Sequence, residues 1–362
     1  MKQLSFIRSI TTAVLVASVL SVFSCTPTSV SGPDDTEHGS APVLPEYGEV
    51  EVRIVTGDET GTKATELGES AERAVNGTQV LVFRTGDGLL DTYASVGAGT
   101  SFVIPKVILN VPRTVVVLVN SDLNLSTVSN ISELSGKVVG FGAETRSNFQ
   151  MYGSATMESG AASVTVNIQR FSAKLWIGKV RKQMSVAAYR NETTSSSPGY
   201  MMLTSFYAIN AQGSTNFSFT QGTSAPSYCV GSWSAPSPST LSDVLKQDIG
   251  QQVSDVANGA GDLTINKYVY VFPSLFAAGN ANTVKMVLQT TLGGTTYYYP
   301  VEIPDVKSNY VYKLNRLTIT RPGSDDPNKP LEIGSVNVTL QVLPWTVQNV
   351  SYGGDDDGDI VM

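Results

Sequence analysis

This chain of 362 residues holds one histidine, His38, and two cysteines, Cys25 and Cys229. A single histidine in a Pro-, Ser- and Gly-rich stretch leaves nothing from which to build a Ser-His-Asp triad or a histidine-rich zinc site. Two cysteines cannot supply a disulfide scaffold; if Cys25 is modified, Cys229 has no partner and reads as a small buried apolar residue. Charge is also scarce. Charged residues make up 15% of the chain, 24 basic against 31 acidic, for a net charge of −7. No basic stripe is present to neutralise phosphates, so no nucleic-acid partner is expected. There is no G-x-x-x-x-G-K-[ST] loop and no dinucleotide fingerprint after a strand. No cofactor is expected, and the protein is read as a non-enzyme.

No apolar run reaches the ~20 residues of a membrane-spanning helix. The longest near an end, Ser9 to Val22, follows the basic residues Lys2 and Arg8 and precedes Ser24-Cys25. This order is that of a secretory signal, and the cysteine at its end makes residues 1–24 a lipoprotein signal peptide with Cys25 as the lipidated residue. Residues 25–48 are rich in Pro, Ser, Gly, Thr and acids and form a flexible tether, since such a composition buries no core.

What the chain does have is strand-forming sequence. Hydrophobic residues are 41% of it, and the 338 residues after position 24 suffice for two domains. Turn signals recur about every eight to twelve residues, which favours antiparallel β-sandwiches. Residues 49–55 alternate, with Val50, Val52 and Ile54 on one face. Strands follow at 79–83, 89–93, 103–109, 113–119 and 162–168, the run at 113–119 being apolar on both faces. A short helix is expected over 126–134. A second cycle opens near Arg170, with strands at 171–180, 201–209, 268–272, 283–291 and 295–303. Gly293-Gly294 marks a hairpin between the last two. Thr240-x-x-Asp243 is a capping-box pattern, and Leu241, Val244, Leu245, Ile249 and Val253 fall at helical spacing, predicting a helix over 240–254.

The C-terminal part, 309–351, has two strand-like runs divided by a Pro/Gly/Asp turn cluster. In the second, Val336, Val338, Leu340 and Val342 alternate with polar residues; after Pro344 the pattern resumes at Trp345 and Val347. This wording, the segment 168–175 (IQRFSAKL), the loop tripeptide Lys63-Ala64-Thr65, and Tyr297–Pro300 followed by Tyr310–Thr320 together resemble the Bacteroidales fimbrillins, in order and over most of the chain. The resemblance implies an all-β fold of two tandem transthyretin-like Greek-key β-sandwiches with small helical insertions, at 49–168 and 169–335. Residues 336–352 would be a donor strand and 353–362 an acidic tail.

The resemblance further implies a structural subunit of a cell-surface fimbria, exported as a lipoprotein to the outer membrane. A trypsin-like surface protease would cut the N-terminal loop and release the strand carrying Val50, Val52 and Ile54. The C-terminal strand of another copy, or of a related fimbrial subunit, would fill the vacated groove. Lys63 and Arg73 are the basic residues of the polar stretch 56–77 and are the candidate cleavage points, Lys63 in the context that resembles the family's site. Lipid membrane, protease, sister subunits and host or bacterial surface receptors are the expected partners. Two other readings stay open: a monomeric outer-membrane lipoprotein that binds glycans through β-sandwich modules, and a fimbrial anchor or tip subunit. The tail Gly353–Asp359 lacks the glycine step and terminal Glu of a calcium loop and reads as solvated. Trp176, Trp233 and Trp345 read as core residues rather than sugar platforms.

Overall fold

The computed structural model describes residues 44–56, 70–220, 244–329, 331 and 336–344. Cys25, His38, Lys63, Cys229, Trp233, Trp345, Val347 and the acidic tail lie outside the described residues, as do the signal and most of the tether. The chain divides into Met1–Leu44 and Pro45–Met362, and every strand belongs to the second unit.

The strands of the first half are β1 (Tyr47–Thr56), β2 (Thr78–Arg84), β3 (Leu90–Val96), β4 (Ser101–Ile108), β5 (Arg113–Val119), β6 (Val138–Gly140), β7 (Met151–Met157) and β8 (Ser163–Arg170). Those of the second are β9 (Ala173–Lys182), β10 (Met201–Ile209), β11 (Ser214–Asn216), β12 (Lys246–Val253), β13 (Leu263–Val271), β14 (Val284–Leu292), β15 (Thr295–Ile303), β16 (Tyr310–Ile319) and β17 (Val336–Pro344). The fold is all-β, and the helical segments among the described residues are short 3₁₀ turns.

One sheet runs β3-β2-β5-β7-β8-β1-β4; two others run β12-β10-β14-β15 and β13-β9-β16-β17. The same arrangement occurs twice. In the first half β1 is antiparallel to β4 and parallel to β8; in the second β9 is antiparallel to β13 and parallel to β16. The orders β3-β2-β5-β7 and β12-β10-β14-β15 correspond strand for strand. Only β17 has no counterpart at the end of the first half: it is an added edge strand beside β16.

Burial follows from the residue pattern. In β2 and β5 successive residues serve two cores. Val80, Val82, Val115, Val117 and Val119 join Val50, Val52, Ile54, Ile104 and Val166 inside the first half. Leu81, Phe83, Val116 and Leu118 join a larger cluster with Phe171, Leu175, Tyr270 and Phe272 of the second half. The two-faced burial expected of 113–119 is therefore present. Prolines within strands sit where a missing N–H does least harm: Pro105 in β4, Pro300 in β15 and Pro344 at the end of β17 are all on edge strands. Gly153 of β7 lets the sheet close on β8: a Cβ there would meet the Asn167 carbonyl oxygen at 2.2 Å. Gly293 and Gly294, at φ +57° and +85°, turn the two-residue hairpin from β14 to β15 as expected.

Two expectations are corrected. The helix over 240–254 is absent where the structure describes it: Lys246–Val253 is strand β12, antiparallel to β10. Gly250, at φ +66°, sits in a bulge opposite Thr204, a conformation that a helix does not contain. Val244 and Leu245 are buried in the turn before the strand, so the helical spacing was produced by residues of two different elements. The short helix over 126–134 is a 3₁₀ segment at Ile131–Gly136, started by a capping box of Asn130 and Glu133. Strands β6, β7, β11 and β12 were not foreseen.

Candidate functional site

Strand β1 lies between β8 and β4, so its backbone is paired on both sides. Glu51 to Thr56 run parallel to Ser163–Ile168, and Val50 to Arg53 run antiparallel to Ser101–Ile104. Val50, Val52 and Ile54 are buried, as their alternation requires. On the outer face Arg53 donates to Glu51 at 2.8 and 2.9 Å, and Ser101 donates to Glu51 at 2.9 Å. These bonds, Arg53's first, hold the Glu51 carboxyl below its usual range, but an exposed pair adds little to stability. Full burial of each apolar side chain contributes roughly 1.5–3 kcal/mol, so the three contribute roughly 5–9 kcal/mol. That compares with the whole stability of an ordinary domain, about 5–15 kcal/mol. Without β1, the facing edges of β4 and β8 would each lose a backbone ladder.

Strand β17 pairs antiparallel with β16 of its own chain. Val336, Val338, Leu340 and Val342 stand opposite Ile319, Leu317, Leu314 and Tyr312, all four of which are buried. A bulge on β16 between Leu314 and Leu317 keeps these partners in step. The alternating segment is thus an edge strand of the second half, held by a single ladder.

Between β1 and β2, the described chain resumes at a 3₁₀ turn, Ser70–Arg73. Arg73 ends this turn. Its neighbour Glu72 is 1% exposed and forms a buried ion pair with Lys174 of β9 at 2.6 Å. The Tyr270 hydroxyl donates to the same carboxylate oxygen, and Arg170 Nε donates to the Glu72 carbonyl at 3.0 Å. Burial, then Glu72, drives the Tyr270 hydroxyl pKa upward. The Lys174 ammonium also lies 4.1 Å from the centre of the Tyr268 ring, and the Arg146 guanidinium lies 4.9 Å from that ring. Beside this cluster Glu144 accepts from Ser172 Oγ at 2.9 Å and from the Gln150 backbone N–H at 3.1 Å. Burial pushes the Glu144 carboxyl up to about 8 against the pull of those donors and of Arg170. Sequence reading missed Glu72, Glu144 and Arg146. Lys174, a charge inside the apolar run of β9, was the one visible signal.

Trp176 is buried in β9 with the Lys313 ammonium 4.1 Å from its ring, a core position. Among the described residues no group of three or more His, Cys, Asp or Glu is arranged to hold a metal ion.

Two halves built on one repeated strand plan make a fold that is similar to that of solved structures. No family model and no curated protein matches the chain. The fimbrilin FimA of Porphyromonas gingivalis W83 matches with a TM-score of 0.59 at 17% identity, covering 84% of this chain and 99% of that one. A candidate cell adhesion protein of Bacteroides eggerthii DSM 20697 matches at 0.61 and 17%, covering 84% and 98%. Another, of Parabacteroides distasonis ATCC 8503, matches at 0.56 and 16%, covering 83% and 98%. The chain has the fold of the Bacteroidales fimbrillins.

Proposed function

We propose that this protein is the precursor of a structural subunit of a cell-surface fimbria and polymerises by strand exchange. The observation that carries the reading is topological. Among the described residues β17 is the strand added to the sheets of the repeated plan, beside the last strand of the second half, and it sits on an edge, whereas β1 sits between two strands. Moving β17 of one subunit into the vacated place between β4 and β8 of another exchanges one backbone ladder for two. Its apolar residues have the two-residue spacing of Val50, Val52 and Ile54. The donor segment comprises Val336, Val338, Leu340 and Val342, extended by Trp345 and Val347.

Release of β1 requires a cut in the chain between β1 and β2 by a trypsin-like surface protease; Lys63 and Arg73 are the candidate points, and Lys63 is favoured. Arg53, the basic residue within β1, is paired on both sides by backbone and so protected. Lipidation of Cys25 carries the precursor to the outer membrane. The partners are copies of itself and related fimbrial subunits; no catalytic role is assigned. The halves on either side of residues 168–170 are two tandem domains, a reading supported by the repeated strand order.

The test is protease treatment of the purified, unlipidated precursor. Ladders that resist SDS, with β1 absent from the polymer, are expected. Cleavage followed by monomers alone, or polymers that retain Glu49, would defeat the reading. Separately, Cys25→Ala should abolish labelling by a fatty-acid analogue in cells.

A further inference from the structure

We infer that Glu72 is a retained anchor: its docking on Lys174 and Tyr270 holds the segment Ser70–Arg73 to the second half of the molecule and shields the Arg73–Ala74 bond from proteolysis. The inference rests on the reading of β1 as a removable strand and says where removal must stop.

The Glu72 and Lys174 side chains are both wholly buried. A charge buried at this depth is tolerated because its partner is present; removing one member leaves the other uncompensated. A cut after Arg73 would carry Glu72 away with β1 and remove from the core the carboxylate that is paired with Lys174. A cut before Ser70 keeps the pair intact.

The bond itself is held on both sides. Upstream, Glu72 is pinned through its carboxylate and, by Arg170, through its carbonyl. Downstream, the Ala74 carbonyl accepts from Asn120 Nδ2 at 2.7 Å, and the Asn76 N–H donates to Asn120 Oδ1 at 2.8 Å. Ala74 N–H closes the turn onto the Ala71 carbonyl at 3.3 Å. A protease needs several residues around the scissile bond to leave such contacts and extend, so cleavage after Arg73 waits on local opening.

The contact also joins the halves. Glu72 precedes β2, whereas Lys174 and Tyr270 belong to β9 and β13. A processed subunit that keeps Glu72 therefore keeps its new N-terminal segment tied across the joint through which a fibre transmits load.

The experiment is a timed trypsin digestion of the full-length, unlipidated precursor, with the new N-termini identified by mass spectrometry. In the wild type, chains starting at Ala74 should be absent while the precursor's other sheets stay intact. Glu72→Ala should raise the rate of cutting after Arg73 by at least about tenfold, since cleavage follows the population of the opened segment. If Glu72→Ala does not fold, Glu72→Gln, which keeps the shape and a partner for Tyr270, should show the same direction. Glu72→Gln combined with Lys174→Met should be cut more slowly than Lys174→Met alone, because it no longer leaves a bare buried charge. Rapid wild-type cutting after Arg73, or no change in the Glu72 variants, would overturn the anchor. If the anchor behaves as stated but no cut precursor forms ladders, the anchor stands and the strand-exchange reading falls.

Discussion

Glu144 shows how one buried side chain sets a pH dependence. Its carboxyl is pushed from 4.5 to about 8, chiefly by desolvation. The folded protein keeps a proton on Glu144 that the unfolded chain releases between these two values. Stability from this group is therefore full below about pH 4.5 and declines as pH rises towards 8. The slope is at most about 1.4 kcal/mol per pH unit for one proton. Glu144→Gln keeps the Ser172 and Gln150 partners and removes the titration. Melting curves between pH 5 and 8 should fall more steeply for the wild type than for Glu144→Gln; parallel curves would show that the carboxyl is ionised in the fold.

At the scale of elements, edge and interior strands behave differently. β17 contributes one ladder, and its partners Leu314 and Leu317 are buried residues of β16. Replacing Val338 and Leu340 with Asp places charges opposite those two positions, where an unpaired carboxylate is costly. The strand should open from β16 while β1 to β16 stay folded, and ladders should no longer form after protease treatment. Amide exchange should rise along β16 and remain slow in β9. Loss of the whole fold in this variant would mean that β17 is part of the subunit's own core and is not free to be donated.

At the scale of the molecule, the two halves share a core instead of touching through a wet surface. Phe141 of the first half meets Phe272 of the second edge-on, with ring centres 5.0 Å apart. Phe149 meets Tyr270 at 4.5 Å. β6 and β11 pair across the same joint. Buried apolar contact of this kind couples the stabilities of the parts it joins. Calorimetry of the precursor should show a single transition. Phe272→Ala, which empties a fully buried position, should cost about 3–5 kcal/mol and lower that one transition. Two separate transitions in the wild type would show that the halves fold independently.

Much of this was determined by local sequence. Alternation located β1, β8 and β17, and the two-faced apolar run located β5, because period-two burial is a property of each strand alone. Gly293-Gly294 set its hairpin for the same reason. The tertiary structure decided what each strand lies beside. It made Lys246–Val253 a strand, since the edge of β10 needed a partner more than the weak helical spacing needed a helix. It placed β17 on its own chain's β16. It also brought Glu72 to Lys174 across 102 residues of sequence. Periodicity reports which face of an element is buried; pairings between distant residues depend on how the whole chain closes, and no local pattern encodes them.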